Sequence, residues 1–215
     1  LNKIYRYGDP DLQKLEYYYA LASPWSFLGN RKLIEIADRH KLKIDPVIID
    51  YDAMFAAAKT VPLPERPILR KEYRLVDLGR WAAFRNVQFN VEPKFYRGEV
   101  EEPNEREGAL MVVATKEEGF DSLKLAHAIS RALWAEERFP FHKDELIRIA
   151  DAEGFDGAGL WKRSKDKRIA DAYAENTQKS IDQGVFGMPF YIVHGQRYWG
   201  QDRLELMDHI LADGQ

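Results

Sequence analysis

The chain has 215 residues, 45% of them hydrophobic and 31% charged, and a net charge of -3 from 32 basic and 35 acidic side chains. That is an ordinary globular composition, with no basic field for nucleic acid and no acidic block for a disordered tail. Cysteine is absent, which excludes disulfides, cysteine nucleophiles and thiolate metal sites, and no apolar run reaches the roughly 20 residues of a membrane span.

The start, "LNKIYRYGDPDLQK", is polar and has no signal-peptide core, so the expected setting is the cytoplasm, with neither membrane nor nucleic acid as partner. Leu15 to Leu21 is short, aromatic-rich and continuously apolar, and predicts a strand buried on both faces. From Pro24 to about His40 the period becomes helical, with Phe27, Leu33, Ile34 and Ala37 able to share a face. Ser23 fits the N-cap of that helix and Pro24 its first position. "KIDPVIID", residues 43–50, is a second strand, and its Pro46 suggests an edge or entry position. Strand, helix, strand at this length is the size of a right-handed βαβ unit.

The middle is different. "PLPERP" (62–67) is a turn-rich connector, and helical patterns follow over 73–84, 105–118, 122–137, 142–152 and 166–183. Residues 53–167 therefore read as a helical insertion between residues 1–52 and 168–215. The end turns to strands again, with "GMPFYIVHG" (187–195) and "QRYWG" (196–200) joined tightly at His194-Gly195. So short a link permits only antiparallel pairing. "QDRLELMDHIL" (201–211) closes the chain as an amphipathic helix with Leu204 and Met207 inward. The fold class is α/β, in the order βαβ, helices, ββα.

Four motifs stand out. Ser23-Pro24-Trp25-Ser26 is explained by capping alone, but a helix N-terminus with a hydroxyl beside it is also a place to hold an anion. No G-x-S-x-G is present and neither serine has an evident base, which argues against serine hydrolysis. Gly187-Met188-Pro189 either marks the first residue of a strand or turns the Met188 backbone toward a ligand through a cis bond. Gln201 and Asp202 either cap the last helix or aim its start at a ligand carboxylate, with Asp202 holding an ammonium. Tyr73, Asp77, Arg80 and Trp81 share a helical face, suited to packing or to lining a pocket. The five histidines are scattered, without metal-ligand spacing.

Taken together, these pieces resemble a known family. The order βαβ–helices–ββα, with a short motif opening the first helix and a proline starting the third strand, is similar to a thioredoxin fold of the DsbA type. Within it, "YYYALASPWSFLG", "YRLVDLGRWAAF" and "GVFGMPFYIVHGQRYWGQDRL" resemble the 2-hydroxychromene-2-carboxylate isomerases and kappa-class glutathione transferases. The resemblance spans most of residues 15–213. It implies that Ser23 stands where an oxidoreductase has its attacking cysteine, and Ser26 where the second one lies. It implies a borrowed sulfur: glutathione, its thiolate against the Ser23 hydroxyl and near Trp25, its cysteinyl part on the backbone of Met188 beside Pro189, its γ-glutamyl end at Gln201 and Asp202. The thiolate would add to a conjugated carbon of a small-molecule substrate, an aromatic-derived unsaturated keto acid, and leave after rotation has turned cis into trans. A homodimer is implied as well. Family members commonly carry an asparagine and a lysine in the connector, which here reads "KTVPLPERPILRKEY". Lys59, Thr60, Arg70 and Lys71, with Tyr73, Arg80 and Trp81, are the candidates for the substrate side, and an altered substrate stays open. Two other readings remain: a transferase that consumes glutathione, and a redox-inactive binding module of the same fold.

Overall fold

The computed structural model describes residues 13–94 and 105–214; the polar start of the chain, within the first segment assigned to the thioredoxin-like half, lies outside the described residues. Strand β1 is Gln13–Tyr19, helix α1 Pro24–Arg39 and strand β2 Leu42–Ile48. Helices α2 (Tyr51–Ala58), α3 (Ile68–Arg85), α4 (Arg106–Glu117), α5 (Ser122–Trp134), α6 (Lys143–Ala152), α7 (Gly157–Arg163) and α8 (Lys167–Asp182) follow. Strands β3 (Phe190–Val193) and β4 (Gln196–Trp199) lead into a 3-10 turn, Gln201–Arg203, and helix α9 (Leu204–Ala212).

The sheet has the order β2-β1-β3-β4, with β1 parallel to β2 and antiparallel to β3, and β3 antiparallel to β4. First and last quarters of the chain thus share one sheet, as the element order requires. β2 is an edge strand, which is where Pro46, lacking an N–H, fits; it lies opposite Tyr17. His194 and Gly195 join β3 to β4 with φ of 52° and 75°, the positive pair a tight hairpin turn needs.

Alternation along β1 splits the core. Leu15, Tyr17 and Tyr19 enter the large cluster that also holds Phe27, Leu33, Ala37, Met111, Ile129 and Trp134. Tyr18 points the other way, into a cluster with Val47, Met54, Val185 and Phe190. The register agrees: Tyr17 faces Tyr191 and Tyr18 faces Phe190 across β1 and β3. Tyr17 and Tyr191 stack at 5.2 Å.

Boundaries moved where caps decide them. α2 begins at Tyr51, just ahead of the anticipated helical stretch, because the Asp50 side chain accepts from Ala53 N–H. α3 begins at Ile68 rather than near 73, since Pro67 ends the connector. α7 was not anticipated; Asp156 caps it by accepting from Gly159 N–H, and its two glycines hide the helical period.

Candidate active site

Ser23 caps α1, in an extended conformation, and its hydroxyl oxygen accepts from Ser26 N–H at 3.2 Å. Ser23 N–H is turned back onto Ala20 O at 3.1 Å, so a tight turn carries the chain from β1 into the helix. Ser23 is half-buried, while Ser26 is fully buried and its hydroxyl has no hydrogen-bond partner among the described residues. The first-turn N–H groups of α1 and the free hydroxyl hydrogen of Ser23 therefore face the same end of the helix. That end favours a negative charge.

Trp25 and Trp81 pack on one small cluster, Leu28, Leu78 and Ala82, which lays α3 along the first turns of α1. Asp77 and Trp81 are half-buried on that side of α3, while Tyr73 and Arg80 are exposed. Burial, with the charge of Asp202 added, outweighs Arg80 and lifts the Asp77 carboxyl above the ordinary range. The α3 face thus meets the turn before the last helix, where the charge of Asp202 opposes ionisation of Asp77.

Met188–Pro189 is a cis peptide, as its place ahead of "FYIV" in a thioredoxin-like order suggested. Gly200 N–H donates to Pro189 O at 2.9 Å, tying this bend to the turn that starts the last helix. Met188 packs against the Phe190 cluster beside Phe55 of α2. Gln201 is 1% exposed and lies hard against α1: a Cβ added at Gly29 would meet Gln201 Cβ at 2.7 Å. Asp202 is exposed and pairs with Arg203 at 2.6 Å.

The Gln201 side-chain oxygen already accepts one hydrogen bond within the protein. Arg85, at the end of α3, donates from Nε to Gln201 Oε1 (3.0 Å) and from Nη2 to Gln201 O (2.9 Å), and also pairs with Glu205. Sequence reasoning missed Arg85, although it follows Trp81 and Asp77 at i+4 and i+8 on the same helical face. Its guanidinium lies 5.0 Å from the Trp81 ring.

The connector is placed beside the same bend. Thr60 donates its hydroxyl to Phe186 O at 2.9 Å, and Lys59, just before it, is exposed in a left-handed conformation that ends α2. Arg70 is exposed, whereas Lys71 is half-buried and its ammonium donates to Pro64 O at 3.2 Å. Arg66 was also missed. Burial first, and the charge of Arg70 next, lower its affinity for a proton. Among the described residues no group of three or more His, Asp or Glu gathers as a metal site, and no helix is long and apolar enough to cross a membrane.

A DSBA-like thioredoxin domain model matches residues 14–212. The chain is 25% identical over 201 residues to a 2-hydroxychromene-2-carboxylate isomerase of Sphingobium xenophagum, covering 93% of this chain and 98% of the relative. It is 24% identical over 218 residues to glutathione S-transferase kappa 1 of Caenorhabditis elegans, covering 96% and 94%. Among solved structures, a 2-hydroxychromene-2-carboxylate isomerase is similar in fold, with a TM-score of 0.79 at 23% identity over 93% of this chain and 95% of that one.

Proposed function

The chain belongs to the DSBA-like thioredoxin domain family, and from that premise we propose that it is a glutathione-dependent cis–trans isomerase of the 2-hydroxychromene-2-carboxylate isomerase type, acting on an aromatic-derived unsaturated keto acid. The observation that carries this reading is the Ser23 turn. It offers a capped helix terminus and a hydroxyl with its hydrogen to donate, in a chain that has no cysteine of its own.

Bound glutathione would supply a thiolate that adds reversibly to a conjugated carbon and leaves once rotation has occurred. The protein's part is to make that thiolate available and to orient what surrounds it. Lowering a thiol pKa by one unit needs about 1.4 kcal/mol of differential stabilisation. A helix terminus contributes about 0.3–1 kcal/mol and a hydrogen bond to a charged group about 1.5–3 kcal/mol, so Ser23 and α1 suffice. Ser23 is a donor to the sulfur in this reading, not a nucleophile, and Trp25 walls the same end of the helix.

Met188, next to Pro189, offers its backbone to the cysteinyl part of the tripeptide. Asp202, with Asp77 opposite, is suited to an ammonium, whose charge would relieve the repulsion between the two carboxyls. Gln201, beside Asp202, would meet the γ-glutamyl end, and Arg85 holds its turn on α1. Lys59, Arg70, Lys71, Tyr73, Arg80 and Trp81 form the proposed substrate side, with Arg66 added. An arginine binds a carboxylate bidentately and a lysine as a point charge, so Arg70 and Arg66 are the stronger candidates. A homodimer, a cytoplasmic setting and a division into residues 1–52 with 168–215 and an insertion over 53–167 belong to the same proposal.

The second reading, a kappa-class transferase that releases a conjugate, is favoured by one observation: the Caenorhabditis elegans relative is as similar as the isomerases are. Titration calorimetry with glutathione, followed by thiol counting during turnover of 2-hydroxychromene-2-carboxylate, tests both. An isomerase returns every thiol, a transferase loses one per turnover, and a redox-inactive binding module shows neither affinity nor turnover.

A further inference from the structure

Ala22 precedes Ser23, and its N–H donates to Glu105 Oε2 at 2.5 Å. Glu105 stands immediately before α4 and is 3% exposed. Leu21 N–H faces the same carboxyl. On the other side of the turn, Ser130 of α5 donates to Leu21 O at 2.8 Å and is itself held by the Tyr19 hydroxyl at 2.8 Å. The turn that presents Ser23 is therefore gripped by the helical stretch of the chain, through one buried acid and one buried hydroxyl.

Two backbone N–H groups favour a charge on Glu105, and its other surroundings outweigh them. Asp50 and Asp52 approach from the start of α2, Tyr19 from β1 and Tyr173 from α8, where the Arg106 guanidinium lies over the Tyr173 ring at 5.4 Å. Burial first, with Asp52 and Asp50 added, outweighs the two backbone N–H groups and raises the Glu105 carboxyl to about 8. At neutral pH it is thus held largely as the acid. Its second oxygen is buried without a hydrogen-bond partner among the described residues.

We propose that Glu105 is a positioning residue for the Ser23 turn: the neutral carboxyl holds Ala22 N–H and leaves the α1 terminus able to receive an anion, whereas the carboxylate opposes one. An ionised Glu105 beside the turn places a negative charge in poorly solvated surroundings, where it competes with any anion at the same helix end. The coupling is reciprocal, so an anion bound at Ser23 raises the proton affinity of Glu105 by the same factor by which the carboxylate weakens the anion. The anion's identity as the glutathione thiolate rests on the function proposed above.

The test follows the amide resonances of Ala22 and Ser23 by nuclear magnetic resonance from pH 6 to pH 10, in the wild type and in Glu105→Gln. Glutathione is then titrated into both proteins on either side of the transition. Both amides should move together near pH 8 in the wild type and stay still in Glu105→Gln. Glutathione affinity, relative to Glu105→Gln at the same pH, should fall about tenfold across that transition, within the range typical of coupled sites. Amides that do not titrate in the wild type, or titrate alike in both proteins, overturn the proposal without need of any ligand. An affinity ratio that stays constant while the amides titrate overturns the opposition between carboxylate and anion. Titrating amides with no glutathione bound at any pH support the grip of Glu105 on the turn and overturn the glutathione reading instead.

Discussion

Ser23 and Ser26 lie one helical turn apart, and the structure gives them different surroundings. Ser23 is half-buried at the cap and can donate outward, whereas Ser26 is sealed in the core, its hydroxyl without a partner among the described residues. Ser23→Ala should therefore lower kcat/KM by about 10–150-fold, the equivalent of a charged hydrogen bond of roughly 1.5–3 kcal/mol. Ser26→Ala should leave kcat/KM nearly unchanged and shift stability by no more than about 1 kcal/mol, since no hydrogen bond is lost. Steady-state kinetics on the two variants separates a thiolate donor from a mere cap. Around the connector, Lys59→Ala, Arg70→Ala and Arg80→Ala should each raise KM for an acidic substrate and leave glutathione affinity as it was. If every substrate parameter is unmoved in all three, the helical stretch is scaffold and the acidic-substrate idea goes with it.

Among the elements, the terminus of the chain is fixed to α1 and α3 by Arg85. Its side chain is 6% exposed and serves Gln201 twice and Glu205 twice. Arg85→Met keeps the stem and removes the donors, leaving Gln201 O and Oε1 buried without them. Destabilisation of about 2–4 kcal/mol in denaturant unfolding is expected, together with weaker glutathione binding, because the Asp202 turn loses its seat. A variant as stable as the wild type would show the clamp to be ornamental. The start of α1 was legible in the sequence because capping is local: Ser23, Pro24 and the period from Phe27 onward lie within one helix. The hairpin was legible for the same reason, its turn residues standing between two apolar runs. The Arg85 clamp was not, since Gln201 lies 116 positions away, nor was the grip of Glu105 on Ala22, 83 positions away. Glu105 sits in a charged stretch, "EEPNEREG", where nothing local marks it as buried. α7 escaped because a short helix with two glycines carries too few apolar positions for a period.

At the scale of the whole molecule, one buried and one largely buried group tilt stability with pH in opposite directions. Burial lowers His127 from 6.5 to about 4; its ring stacks on Phe27 at 5.2 Å in the core beside α1. The unfolded chain takes up that proton first, so the stability held by neutral His127 is present above pH 6.5 and lost as pH falls toward 4, about 3 kcal/mol in all. Glu105 acts the other way. Its folded value of about 8 exceeds the 4.5 of a free carboxyl, so stability is full below pH 4.5 and declines as pH rises toward 8, by on the order of 5 kcal/mol. Between pH 4.5 and 6.5 the two slopes offset, and above pH 6.5 only that of Glu105 remains. Denaturant midpoints should accordingly show a loss of about 2 kcal/mol between pH 6.5 and 8 in the wild type. Glu105→Gln should abolish that loss, and an equal decline in both proteins would mean that Glu105 is ionised in the folded state.

The central claim is that the Ser23 turn holds glutathione as its thiolate. Ultraviolet absorption of the thiolate, titrated against pH in the presence of saturating protein, measures this directly. Bound glutathione should ionise at least about one pH unit below the free tripeptide, a stabilisation of about 1.4 kcal/mol, and Ser23→Ala should bring it back toward the free value. Glutathione that does not bind, or that binds and ionises as it does in solution, would contradict the account.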